Sequence, residues 1–187
     1  MEAKIVYFPE PGKQNTDEVL RLAVIRAAEL GIKSILVAST TGDTALKAVE
    51  VFKGARIVAV SHFTGMIEPN TQEFTEENRQ KVLSAGGTVL TATHLFSGLS
   101  RAMRKKFKMH LFEEVAANTL RIFGQGMKVV CEIALMAADA GLVRTDEDII
   151  VIGGTGRGAD TAVVLRPVNS EDFFDLKVRE ILCKPLF

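Results

Sequence analysis

The chain has 187 residues with 23 basic and 23 acidic side chains, a length suited to one domain with a sizeable core. The balanced charge supplies no global field toward nucleic acid or an anionic membrane, and the mixed composition is that of a globular protein. Two cysteines, Cys131 and Cys183, lack metal-ligand spacing and sit among apolar residues, so buried free thiols in a reducing compartment are expected, and no metal site.

The N-terminal MEAKIVYF has no basic segment ahead of a long apolar run, and no stretch approaches the ~20 apolar residues of a membrane span. A cytoplasmic protein without a membrane partner is expected. Ile5–Phe8 reads as a strand stopped by Pro9 and Pro11. Asn15, Thr16 or Asp17 caps a helix whose apolar positions run from Val19 to Leu30, and Gly31 ends it. Ser34–Ala38 is a continuous apolar run, which suits a parallel strand covered on both faces. Ser39–Thr44 is a turn, followed by a helix over Thr44–Phe52. The unit then repeats, with a strand over Arg56–Val60, the loop S-H-F-T-G, a helix from Thr75 to Gly86, a strand over Thr88–Ala92 and the loop T-H-L-F-S-G. One long helical region from Gly98 to Ala140 follows, broken at Gly124 and Gly126. Further strands are expected within Glu147–Gly153, over Thr161–Val168 and over Asp175–Cys183. This alternation predicts an α/β fold, a three-layer α/β/α sandwich on a mixed, mostly parallel sheet. Residues 1–187 read as one domain with a short N-terminal extension.

Two loops carry the chemistry. Ile152–Thr161 reads I-G-G-T-G-R-G-A-D-T. Gly154, Gly156 and Ala159 meet dinucleotide-binding spacing loosely, but the segment after them is strand-like, so the helix that must meet a pyrophosphate is missing. A hairpin is expected instead. Glycine there serves positive φ angles, and successive backbone N–H groups around Arg157 form a concavity for an anion. Ser39–Thr44 (S-T-T-G-D-T) joins a strand to a helix, and its four hydroxyls beside free helix N–H groups suit a phosphate. Capping by one residue accounts for part of that pattern. Both loops fall beyond the carboxyl ends of strands, where open sheets bind ligands. His62 and His94 occupy equivalent positions after neighbouring strands, and structural and site roles both stay open for them. The basic run R-A-M-R-K-K-F-K before His110 is read as a solvated helix face rather than a nucleic-acid surface.

The segments L-V-A-S-T-T-G-D-T-A (Leu36–Ala45) and A-A-D-A-G-L-V-R-T-D-E-D-I-I-V-I-G-G-T-G-R-G-A-D-T-A-V-V-L-R-P-V (Ala137–Val168) together resemble the C-terminal domain of pyruvate kinase. The resemblance implies a core sheet of order 3-2-1-4-5 with its last strand antiparallel. In some eukaryotic pyruvate kinases the matching loops hold the phosphates of an allosteric sugar bisphosphate. By resemblance Ser39, Thr40, Thr41, Gly42 and Thr44 hold one phosphate, and Gly156, Arg157 and Gly158 close over the ligand; Asp43 and Thr155 are candidate binding residues beside them. A catalytic (β/α)₈ barrel needs roughly 250 residues and has no room here. The chain is therefore similar to stand-alone prokaryotic proteins that keep only this domain, and flavin mononucleotide (FMN) is the cofactor that this group suggests. Phe63, Met66, Phe96 and Met127 are expected to form a slot for its ring, beside His62, Thr64, Gly65 and His94, and Arg157 or a backbone N–H to favour the reduced anion. A small phosphorylated ligand without established chemistry is the first expectation. A flavin-dependent oxidoreductase using His62 or His94 as proton donor is the second, and a sugar-phosphate-sensing module acting on another protein is the third. Homo-oligomerisation stays open.

Overall fold

A computed structural model describes residues 3–187. Its seven-stranded sheet has the order β1-β7-β6-β5-β2-β3-β4. The strands are β1 (Val6–Phe8), β2 (Ser34–Ala38), β3 (Arg56–Ser61), β4 (Thr88–Thr91), β5 (Ile149–Gly153), β6 (Thr161–Arg166) and β7 (Lys177–Pro185). The helices are α1 (Thr16–Leu30), α2 (Asp43–Val51), α3 (Glu76–Ser84), α4 (Gly98–Phe107), α5 (Phe112–Arg121) and α6 (Gln125–Asp139).

The expected five-stranded core is present as β4-β3-β2-β5-β6, with β6 antiparallel to β5. β7 pairs antiparallel with β6, and the three-residue β1 pairs parallel with β7. These two strands extend the sheet beyond that core, and β6 alone opposes the common direction. Inside the sheet, alternate residues serve opposite faces, because successive Cβ atoms of a strand point to opposite sides. Ile35, Val37, Ile150 and Ile152 pack with Val19, Leu20, Ala23 and Ala27 of α1 and with Ala48 of α2. Leu36, Val58, Ile149 and Val151 pack on the other side with Val130, Ile133, Ala134 and Ala137 of α6. Ala45, Phe74 and Val82 join α2 to α3, α2 in turn lies against α1, and α5 covers α6. The result is the expected three-layer arrangement.

The single helical region expected over Gly98–Ala140 is three helices. Its first break lies at Lys108, which takes φ 57° at the end of α4, a position sequence pattern did not mark because lysine has no preference for that conformation. The second lies at Gly124, as expected. Gly126 is no break: it is buried inside the first turn of α6. No helix among the described residues is long and apolar enough to cross a membrane.

Candidate functional site

Loops leaving β2, β3, β4 and β5 meet at one edge of the sheet. From β2 the chain proceeds to β3 on one side while β5 pairs on the other. Strand order reverses at that point, which is where open α/β sheets leave a crevice for ligands. The cleft has an outer space of about 580 Å³ and an inner one of about 280 Å³, which share Ser39, Thr40, His62, Gln125 and Val129.

The Ser/Thr loop walls one side of the outer space. Gly42 precedes α2 with φ 105° and brings no side chain to close the helix end. A Cβ there would lie 2.9 Å from the Phe74 ring, so both backbone and packing require glycine. Asn78 Nδ2 donates to the Thr41 carbonyl (3.0 Å) and to Asp43 (3.2 Å), so α3 braces the loop. Ser39 Oγ accepts the Ala45 N–H at 3.3 Å, and Thr41 donates to Asp43 Oδ2 at 2.8 Å. Thr40 and Thr44 border the cleft with Asp43 and Lys47.

The hairpin of residues 154–160 forms the opposite wall. Asp160 is fully buried and organises it: Oδ2 accepts the N–H groups of Gly12 and Thr155, each at 3.0 Å, and Oδ1 accepts the Thr161 hydroxyl at 2.8 Å. The Ala159 N–H donates to Thr16 Oγ1 at 3.0 Å. Gly158 takes φ 75°, and a Cβ on it would sit 2.6 Å from Thr16 Oγ1. Its glycine is thus required by close approach to the segment before α1. Arg157 is expected from sequence as a cation open to phosphate, but its Nη2 lies 3.1 Å from Glu73 Oε1.

Glu73 also joins His62, whose Nδ1 lies 2.6 Å from Oε2. Burial pushes the Glu73 carboxyl up, but the bonds from His62 and Arg157 outweigh it and leave it below its ordinary value. His62 and His94 meet edge-on with ring centroids 5.5 Å apart. Burial holds His94 below the usual histidine value, with His62 and Lys128 acting in the same direction against the pull of Glu132. Behind them Lys128 and Glu132 form a buried ion pair on α6, and Glu132 Oε1 accepts the Phe96 N–H at 2.8 Å. Arg101, Arg104 and Arg121 border the same inner space.

Eleven of the sequence-derived positions border the cleft: Ser39, Thr40, Thr41, Asp43, Thr44, His62, His94, Phe96, Gly156, Arg157 and Gly158, as does Met66. The others do not. Gly42 is buried beneath its loop against α3, and the Thr155 N–H is used by Asp160. Phe63 packs on His94 at 5.9 Å, and Thr64 and Gly65 turn away into the following loop, where the Gly65 N–H donates to Thr71. Met127 borders a separate hollow with Phe123, Cys131 and Ile181, because its place on α6 aims it away from Lys128 and Glu132. Sequence pattern missed Lys13, Glu73, Gln125, Lys128 and Glu132. Only the last two left a signal, an i,i+4 charged pair inside an otherwise apolar helix. Among the described residues no group of three or more His, Cys, Asp or Glu is arranged to hold a metal ion.

Fold and cleft define an α/β domain with a crevice at its topological switch point, lined by a Ser/Thr loop and a glycine hairpin. The family model of the pyruvate kinase alpha/beta domain matches residues 17–165, and the chain belongs to that family. β1 and β7, which widen the sheet, lie outside the matched residues. Two solved pyruvate kinases from Cryptosporidium parvum are similar at 15% identity each. One has a TM-score of 0.43 over 82% of this chain, the other 0.41 over 86%. The matches cover 23% and 24% of those enzymes, so the chain spans about a quarter of their length. No catalytic barrel is present among the described residues.

Proposed function

We propose that this domain binds a phosphorylated small molecule, with the phosphate at the first turn of α2 beneath the glycine hairpin. The observation that carries the reading is the outer space of about 580 Å³ between those two loops at the switch point. Aligned peptide dipoles place partial positive charge at the start of α2, a contribution of ~0.3–1 kcal/mol toward an anion. Lys13, Lys47 and Arg157 surround it. Lys47 and Arg157 are held by Asp17 and Glu73 in pairs with exposed cations, which are weak enough for a phosphate to recruit them. The Thr40 hydroxyl is the side-chain donor best matched to the phosphate, since Thr41 already donates to Asp43.

FMN enters as the cofactor suggested by the resemblance. The cradle suits its phosphate, and its ring would lie against His62, Met66, His94 and Phe96. Bound there, FMN would supply hydride or electron transfer; the chain's own residues would hold its phosphate and shield one ring face. A second reading, an open-chain sugar phosphate, is favoured by the ions bordering the inner space, which suit hydroxyl groups better than an aromatic ring. The free, buried thiols of Cys131 and Cys183 support a cytoplasmic setting as part of this proposal.

Titration calorimetry with FMN, with aldose phosphates and with the unphosphorylated parent compounds tests it. Saturable binding that requires the phosphate is expected, and Thr40→Ala should weaken it about fivefold, or ~1 kcal/mol. Equal affinity for riboflavin and FMN, and for sugar and sugar phosphate, would remove the phosphate from α2.

A further inference from the structure

The inner end of the cleft holds an arrangement that ligand binding alone does not require. A carboxylate only accepts hydrogen bonds, so the 2.6 Å contact with Glu73 makes His62 Nδ1 the donor and leaves Nε2 as a base. Glu73, held below its ordinary value by its bonds to His62 and Arg157, stays ionised to fix that tautomer. Lys128, 8% exposed, borders the same inner space as His62 and His94. A buried lysine paired with Glu132 costs desolvation that an apolar side chain would avoid. Positive charge beside a positioned base is the pairing that proton abstraction next to a carbonyl needs. Gln125 borders both spaces, and its Oε1 is already taken by Arg121 at 2.7 Å, so the amide N–H groups are left for a ligand hydroxyl.

The geometry points to proton-transfer catalysis: His62, positioned by Glu73, is the general base toward a phosphorylated α-hydroxycarbonyl compound, interconverting its aldose and ketose forms. This rests on the phosphate site proposed at α2, which puts the carbons of a short substrate beside His62, where the two spaces join. His62 Nε2 takes the proton from the carbon next to the carbonyl. The C–H electron pair becomes the C=C bond of an enediolate, and the carbonyl π pair moves to oxygen, where the Lys128 ammonium stabilises it. The hydroxyl proton passes to that oxyanion, and the imidazolium returns its proton to the former carbonyl carbon. Atoms and electrons balance without a redox partner.

The experiment is incubation of the full chain in D₂O with three-, five- and six-carbon aldose phosphates, read by proton NMR, with calorimetry in parallel. Loss of the C2 proton with ketose formation at least about 100-fold above buffer is expected for one of them. His62→Gln should fall to background while binding the compound within a few-fold. Glu73→Gln should lower kcat about 10-fold or more and alter the pH–rate profile, with KM unchanged or lowered as Arg157 is released, and Glu73→Asp should restore part of the rate. Binding of aldose phosphates without exchange overturns the inference and leaves the phosphate site standing. So does FMN displacing them with no exchange in its absence, and exchange surviving in His62→Gln removes His62 as the base. Failure of every phosphorylated compound to bind overturns the phosphate site itself.

Discussion

Asp160 shows how one residue sets the shape of the cleft. Its carboxylate serves three donors from three parts of the chain, Gly12, Thr155 and Thr161. Bonds to a charged group are worth ~1.5–3 kcal/mol each, and stranding buried donors adds to the loss. Asp160→Ala is expected to destabilise the fold by about 3–5 kcal/mol in urea unfolding; a loss under about 1 kcal/mol would show that the hairpin stands without it. His94 makes a second case. Its folded value is depressed by burial, while the unfolded chain has the ordinary value near 6.5. The unfolded state therefore takes up a proton that the folded state refuses, so the contribution is full above that value and is lost as pH falls below it. Glu132, His62 and Lys128 are the charged or titratable groups that act on it. The unfolding temperature should fall as pH drops below about 6.5, and His94→Phe should flatten that slope. The depressed carboxyl of Glu73 loses its contribution only lower, in the carboxylate range.

Among the elements, α6 connects core and cleft. It lies between the sheet and α5, so between its end residues Gln125 and Asp139 nearly its whole circumference is apolar, and Lys128 and Glu132 are the exceptions. Its first turn approaches β6 so closely that a Cβ on Gly126 would occupy the space of the Thr161 hydroxyl. Gly→Ala inside a helix gains ~1 kcal/mol from propensity, whereas overpacking a tight site costs ~1–3 kcal/mol. Since Thr161 is fully buried and bonded to Asp160, it has nowhere to move, and overpacking should win. Gly126→Ala is expected to lower stability by about 1–2 kcal/mol and to loosen the hairpin. A higher urea midpoint would show that β6 yields.

For the molecule as a whole, the residues before α1 act as a strap. β1 pairs with β7, the Leu186 N–H donates to the Phe8 carbonyl at 2.9 Å, and the Gly12 N–H then donates to the buried Asp160. Removing the strap takes one charge-assisted bond and the packing of Lys13 from the hairpin. A chain beginning at Thr16 should be cleaved by trypsin after Arg157 about tenfold faster than the full chain, the factor that ~1.4 kcal/mol of lost closure gives. Equal cleavage rates would mean that Thr16 and the Asp160 bonds to Thr155 and Thr161 hold the hairpin without the strap.

Much of the fold was legible in the sequence. Runs such as Ile35–Val37 and Ile149–Ile152 are apolar throughout because both faces of a central strand are covered, and Gly31 and Gly141 end helices by adopting a conformation other residues avoid. Order of elements together with the crossover rule then put the Ser/Thr loop and the hairpin at one edge. The partnerships inside the cleft were not legible. Arg157 finds Glu73 across 84 residues, and Gly12 finds Asp160 across 148, and no local period encodes either. Met127 and Lys128 are adjacent in sequence, yet one enters a hollow on the far side of α6 and the other the cleft, since neighbours on a helix point about 100° apart. Thus the sequence by itself determined which loops share one edge of this sheet, through strand patterning and loop composition. Only the tertiary structure decided which charges stand there, because side-chain pairing depends on distances that chain order leaves open.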